Sequence, residues 1–160
     1  MVASSDRYGK IGGILYHTIS GRVKKYILAL YFCTWLKIGY NSYMENKTQW
    51  QNLAESYWCA YSKIWPILAK HPCPTIEINN RFTATGGVNY SQLNLVKLSG
   101  KFMVNNREAV ARVTLPHELA HQIDFILHGW KHGARHHRDS WKVIMVKIGL
   151  EPDIYHNMVL

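Results

Sequence analysis

The stretch TLPHELAH, residues 114–121, contains the strongest chemical signal in the sequence. On a helix, His117 and His121 point the same way, because side chains four residues apart lie one turn above each other. Two imidazoles at this spacing can bind one zinc ion and leave positions for a further ligand and a water. Glu118 lies beside that face, where its carboxylate can take a proton from the water. The motif therefore predicts a helix that carries two metal ligands and a general base.

The residues around the motif indicate a buried helix with a disturbed start. Apolar residues flank the two histidines on both sides, and two imidazoles buried among them would need partners. Composition alone would produce H-E-x-x-H in roughly one such sequence in fifty, so the context adds weight to the spacing. Pro116 lacks an amide hydrogen, which predicts that the helix begins anew or kinks immediately before His117.

A third ligand has to come from farther along the chain, and helical periodicity selects His137. His137 shares one helix face with four apolar residues, and this face points to the core: Trp141, Ile144, Met145 and Ile148. His136, on a more exposed face, is the second choice. The remaining candidates are predicted to lie in a loop or beyond the helix that Gly149 ends: His128, His132 and Glu151. Asp124 fits either a carboxylate that orients an imidazole or a solvated helix acid.

Upstream of the motif, the sequence predicts one helix and a small sheet. Apolar positions recur every three or four residues from Thr48 to about Lys70, with an aromatic face that we assign to the core rather than to base stacking. Residues 75–79, 88–90 and 93–98 have strand character, with Gly86 and Gly87 in a turn. We expect two or three antiparallel strands, followed by a long helix that begins near Arg107 with Asn105 or Asn106 as its N-cap. This order indicates an α+β fold.

The composition is that of a globular protein from a reducing compartment. The 160 residues are 48% apolar and 18% charged. Three scattered cysteines, at positions 33, 59 and 73, form no CxxC pair, which argues against a disulfide framework and against a cysteine zinc site. We therefore expect a cytoplasmic protein. The net charge of +9 permits contact with phosphates without demanding it.

The first 43 residues differ from the rest. Six basic residues and one acid leave this segment with +5 of the net +9, and an apolar run of 11 residues, 26–36, follows its central basic cluster. A bilayer span needs about 20 apolar residues, so no membrane segment is expected. Three interpretations remain: translation that truly starts at Met44, a helix packed on the domain, and a signal peptide without a recognisable cleavage site. We divide the chain into an extension, residues 1–43, and a domain, residues 44–160.

The second half of the sequence resembles the SprT-like (Spartan/SprT) family of zinc metallopeptidases. Its members carry a HExxH helix followed by a histidine four residues before an aromatic, in strings like HGxxWK. Residues 115–121 supply the first part, and His137 stands four residues before Trp141. Arg138 replaces the glycine that is usual in the family. Residues 81–86 and 93–95 resemble the strand region before the metal helix, and the resemblance covers about residues 48–153.

The resemblance implies a zincin-like metallopeptidase core in which His117, His121 and His137 bind Zn²⁺ and Glu118 activates water. It also implies a protein substrate, and it makes single-stranded DNA a candidate activator, since the family includes Spartan, a DNA-dependent protease that digests proteins crosslinked to DNA. We expect a monomer. A substrate strand is expected beside residues 93–98, with three candidate donors to the oxyanion: Tyr90, Tyr155 and His156.

Two other classes of function compete with the peptidase. In the first, zinc is structural and the chain is a nucleic-acid-binding module without proteolysis. The intact Glu118 argues against this, because a purely structural zinc site has no use for a base. In the second, the aromatic helix is the docking surface of a non-catalytic interaction protein.

Overall fold

The computed structural model describes residues 9–11, 14–16, 47–129 and 137–152. The chain forms two compact units, Met1–Gly39 and Tyr40–Leu160. In the first unit, β1 (Gly9–Ile11) pairs with β2 (Ile14–Tyr16) in an antiparallel ladder. The apolar run 26–36 and its three interpretations lie outside the described residues. Within the described part, none of the helices has the length and apolar character that crossing a membrane requires.

The helix α1 (Lys47–Ile64) packs its aromatic face into the core of the second unit. The positions with three- and four-residue spacing are buried: Trp50, Leu53, Ala54, Trp58 and Tyr61. This confirms the assignment of the stripe to the core. A residue before proline is pushed out of the helical region, and Trp65, before Pro66, has φ −124° and ψ 92°. The α-helix therefore ends, and a 3₁₀ helix, Pro66–Lys70, follows.

The three-stranded sheet is mixed, and the prediction of an antiparallel sheet was wrong for one of its two pairings. β5 (Leu95–Ser99) lies at the centre, antiparallel to β4 (Gly87–Tyr90) and parallel to β3 (Thr75–Asn79). The prediction assumed that strands consecutive in sequence are neighbours in the sheet. Burial explains the order found, because β5 has three buried residues and each of the others has one. The most buried strand therefore takes the position with neighbours on both sides.

The helix after the sheet begins at Gly100, and the prediction of a start near Arg107 was wrong. In α2 (Gly100–Ala109), Ser99 is the N-cap, and its hydroxyl accepts a hydrogen bond from the Phe102 N–H at 3.3 Å. Ser99 ends β5 directly, so its side chain satisfies the first helical amides as soon as the strand stops. Asn106 instead marks a kink inside α2, with φ −130° and ψ 32°.

A π-helical turn, Val110–Thr114, joins α2 to α3 (Leu115–His128) where Pro116 was predicted to disturb the helix. The Leu115 N–H donates to the Val110 carbonyl, five residues back. Pro116 has no N–H for the carbonyl of Arg112, and its ring would clash with that carbonyl in a regular α-helix. The wider turn accommodates the proline, and α3 starts directly before the first histidine of the motif.

The last described helix, α4 (Asp139–Lys147), completes the core around α3. The predicted apolar face of this helix is buried: Trp141, Ile144, Met145 and Ile148. Gly149, with φ 83°, ends the helix as expected. α3 contacts α1, β4, β5 and α4, so it is the central helix of the described unit. The fold class is α+β, as predicted from the order of the elements.

Candidate metal centre

Three imidazoles converge at the junction of α3 and α4. His117 and His121 lie one turn apart on α3, and His137 lies two residues before the start of α4. The prediction that His137 lies on the face of this helix was wrong, because the extended backbone of Arg138 (φ −72°, ψ 169°) separates it from the first helical residue. One ring nitrogen of each lies within 4.8 Å of one from each of the others. The ring centroids are 5.1 Å apart for His117 and His121, 5.2 Å for His117 and His137, and 5.0 Å for His121 and His137.

Trp141 forms the floor beneath the three rings. Its indole is fully buried, and its centroid lies 4.8 Å from His117, 5.1 Å from His121 and 4.5 Å from His137. The His121 ring stacks on the indole at an interplanar angle of 18°, and the other two rings meet it edge to face. A large rigid side chain thus limits how far each imidazole can move away from the other two.

The three nitrogen donors fit a metal ion. The Nε2 atoms of His117 and His137 are 3.2 Å apart. Two nitrogens bound at about 2.0–2.1 Å with a tetrahedral angle would be separated by about 3.3 Å. Three neutral imidazoles suit zinc, copper, iron and nickel, whereas magnesium and calcium prefer oxygen ligands. The three histidines predicted from the sequence therefore form a candidate metal centre.

Glu118 is a buried carboxyl next to this cluster. Only 5% of the residue is exposed, and burial raises the pKa of Glu118 to about 8. The backbone N–H of Asn89 on β4 donates to the carboxylate and opposes part of that rise in pKa. A carboxyl with a pKa near neutrality can both accept and return a proton under ordinary conditions.

Gly87 allows β4 to approach Glu118 closely. A Cβ atom at this position would lie 2.9 Å from Glu118 Cγ and 3.1 Å from Thr114 Cγ2. Gly87, predicted to lie in a turn, is the first residue of β4. Its role beside Glu118 could not be predicted from local pattern, because the contact joins residues that are distant along the chain.

A polar network ties the end of β4 to α3 beside the histidines. The side-chain Nδ2 of Asn89 donates to Gln122 Oε1 at 3.3 Å, and Gln122 Nε2 donates to the Ser91 carbonyl at 3.3 Å. The Ser91 hydroxyl donates to Asn89 Oδ1 and closes the loop. Gln122 is 3% exposed, so these contacts satisfy a buried amide. Neither Asn89 nor Gln122 was singled out from the sequence.

The remaining acidic and histidine candidates lie either apart from the cluster of three histidines or outside the described residues. The Asp124 carboxylate contacts His128 Nδ1 at 2.9 Å and Arg138 Nε at 2.6 Å. The imidazole that it contacts is thus outside the cluster of three. His128 is the last residue of α3, so its assignment to a loop was wrong. Glu151 is exposed beyond α4. The other two candidates lie outside the described residues: His132 and His136.

The segment expected to bind a substrate strand has no free edge, and one of the three expected oxyanion donors lies among the described residues. β5, which covers residues 95–98 of the expected segment 93–98, is paired along both edges and cannot accept a further strand. The expectation was wrong because it treated β5 as an edge. Tyr90 ends β4 and is 40% exposed, with Lys97 Nζ 5.6 Å from its ring centroid. Tyr155 and His156 lie outside the described residues.

The described residues 47–129 and 137–152 thus form an α+β domain with a three-histidine candidate metal centre, built on one helix and the segment that leads into the next. The model of the SprT-like family matches residues 48–156. The chain therefore belongs to the SprT-like family.

The curated relatives agree with this assignment. The chain is 38% identical over 77 residues to Protein SprT of Vibrio atlanticus (strain LGP32), a match that covers 48% of this chain and 44% of the relative. It is 31% identical over 86 residues to Protein SprT of Vibrio parahaemolyticus serotype O3:K6 (strain RIMD 2210633), covering 53% of this chain and 50% of the relative. The chain thus spans about half the length of these relatives. No solved structure matches it.

Proposed function

We propose that this protein is a zinc-dependent metallopeptidase with a zincin-like HExxH centre. The observation that carries the proposal is the convergence of three histidine nitrogens within 4.8 Å beside the buried carboxyl of Glu118. Three imidazoles leave a position open to water or substrate, which distinguishes a catalytic zinc site from a closed structural one.

His117, His121 and His137 would hold the ion, and Trp141 keeps their rings together from below. When bound, zinc would lower the pKa of a water to about 7 and polarise the carbonyl of the scissile peptide. Glu118 would take the proton from the attacking water and deliver it to the leaving amine. Its contact with the Asn89 N–H holds the carboxyl in place for both transfers.

The edge strand β4 supports a proposal for where the substrate lies. β4 pairs with β5 on one side, contacts α3, and has no strand on its other side among the described residues. An extended peptide could add to that edge and pass the histidine cluster, since edge strands recognise peptides by backbone hydrogen bonds. Tyr90, at the end of β4, remains a candidate donor to the oxyanion.

The substrate that we propose is a protein bound or crosslinked to DNA, with single-stranded DNA as activator. The net charge of +9 supports contact with phosphates. The thiols of Cys59 and Cys73 are unpaired, which fits the reducing cytoplasm in which such a monomeric enzyme would act.

The test is cleavage of a DNA-binding protein by the zinc-loaded chain, with and without single-stranded DNA. Glu118→Gln is the matched control, because it keeps the three histidines and removes the base. We expect cleavage by the natural chain only, with a rate that rises when DNA is added. Cleavage by both versions would reveal a contaminant. Zinc binding without cleavage by either would favour the nucleic-acid-binding module.

A further inference from the structure

Arg138 joins the two elements that carry the three histidines. Its Nε donates to Asp124 Oδ2 at 2.6 Å. Its Nη2 donates to the Gly129 carbonyl at 3.2 Å and lies 3.5 Å from the Asp124 carbonyl. One guanidinium thus contacts a side chain of α3 and backbone carbonyls at the end of that helix.

The backbone of Arg138 is held as well. Arg138 is the N-cap residue of α4, with φ −72° and ψ 169°, and its carbonyl accepts a hydrogen bond from the Lys142 N–H at 3.1 Å. His137 precedes it by one peptide bond. Any shift of Arg138 relative to α3 therefore moves the third imidazole relative to the first two.

Asp124 is placed to transmit this constraint. It lies three residues after His121 and seven after His117, so it belongs to the same side of α3 as both. Only 6% of its side chain is exposed, against 21% for the Arg138 side chain. A charge-assisted hydrogen bond between two largely buried groups is stronger and more directional than an exposed ion pair.

The geometry of the contact favours arginine. Nε and Nη2 donate to two different acceptors from fixed positions in one plane, whereas the three donors of a lysine ammonium share one nitrogen and have no such fixed spacing. A positive group is also favoured beside the carbonyls at the C-terminal end of a helix.

We propose that Arg138 and Asp124 are a positioning pair that sets His137 at metal-binding distance from His117 and His121. This role rests on the proposed metal centre and adds to it the contact that brings the third histidine close to the other two. Residues that orient metal ligands typically change metal affinity by about 10–100-fold when they are replaced.

The test measures zinc affinity of the full chain by competition with a chromophoric chelator, and the absorption spectrum of the cobalt-loaded protein. The variants are Arg138→Met, Arg138→Lys and Asp124→Asn. Arg112→Met is the matched control, because it makes the same change of side chain at an exposed ion pair, in which Arg112 lies 3.2 Å from Glu108. Unfolding of each metal-free variant is recorded in parallel.

We expect Arg138→Met and Asp124→Asn to bind zinc about 10–100-fold more weakly and to show an altered cobalt spectrum. Arg138→Lys should fall between them and the natural chain, and Arg112→Met should match the natural chain. If Arg138→Met fails to fold, the lysine and asparagine variants decide. Natural zinc affinity and cobalt spectrum in folded variants would overturn the inference. Failure of the natural chain to bind zinc would instead overturn the proposed function.

Discussion

Residue 87 shows how one missing side chain shapes the candidate centre. Gly87 lets β4 lie against Glu118, and the neighbouring Asn89 N–H then reaches the carboxylate. Burial disfavours the charged form of a carboxyl. A hydrogen-bond donor offsets part of that cost and also fixes the orientation of the group. There is no room for a methyl group between Gly87 and Glu118 Cγ, so even a small side chain at this position should have a large effect.

We expect Gly87→Ala to lower the free energy of unfolding by about 1–3 kcal/mol through overpacking and to abolish zinc-dependent cleavage. The new methyl group would lie 2.9 Å from Glu118 Cγ and displace the carboxyl. Chemical denaturation and the peptidase assay measure the two effects. Gly100→Ala is the control, because its Cβ would meet the Asn80 side chain instead. Normal cleavage by Gly87→Ala would contradict the role given to this glycine.

At the scale of elements, side chains bridge α1 to the sheet as well as α3 to α4. Gln51 Oε1 accepts from the Ile76 N–H at 2.8 Å, and Gln51 Nε2 donates to the Pro74 carbonyl at 3.2 Å. β3 is an edge strand, so part of its backbone lacks a partner within the sheet. Gln51 supplies that partner and fixes α1 against β3.

Gln51→Leu should lower the free energy of unfolding by about 1–3 kcal/mol, since it leaves the part-buried Ile76 amide without its acceptor. Gln51→Glu retains the acceptor oxygens but loses the donor to Pro74, so we expect a smaller loss. Denaturant unfolding of both variants and the natural chain provides the comparison. Equal stability of the leucine variant would show that the amide finds another partner.

At the scale of the whole molecule, the described core and the candidate centre belong to one unit. The buried cluster runs from Trp50 to Ile148, within the unit Tyr40–Leu160. The three histidines lie on both sides of the connection between α3 and α4. Stability of this unit and metal binding should therefore be linked.

Zinc is expected to raise the unfolding free energy by about 2.7 kcal/mol at a free concentration one hundred times its dissociation constant. The stabilisation arises because the unfolded chain does not hold the three imidazoles together. Calorimetric or fluorescence-detected unfolding, with zinc and with a chelator, measures it. The His137→Ala variant should lose most of the shift. A melting temperature indifferent to zinc would count against a metal centre.

A chain that begins at Met44 should fold with the stability of the full chain, because the buried cluster of the described residues, from Trp50 to Ile148, lies within the unit Tyr40–Leu160. Urea unfolding of the two chains, followed by tryptophan fluorescence, tests this expectation. A shorter chain that aggregates or unfolds at a clearly lower urea concentration would show that residues 1–43 support the core.

Patterns within single elements could be predicted from the sequence. The four-residue spacing of His117 and His121, the buried apolar side of α4 and the aromatic side of α1 all follow from helical periodicity. Periodicity is local, so each of these features is determined by residues a few positions apart. The irregular turn before Pro116 could be predicted for the same reason, because it depends on one missing amide hydrogen.

Features that depend on distant contacts could be seen only in the folded chain. The parallel pairing of β3 with β5, the approach of Gly87 to Glu118 and the contact of Arg138 with Asp124 each join segments that are remote along the chain. Which strand takes the centre depends on total burial, and which side chains meet depends on packing density across elements. Local spacing thus predicts the donor histidines of the candidate centre. The contacts that surround these histidines arise from packing between segments that are remote along the chain, and no local pattern predicts them.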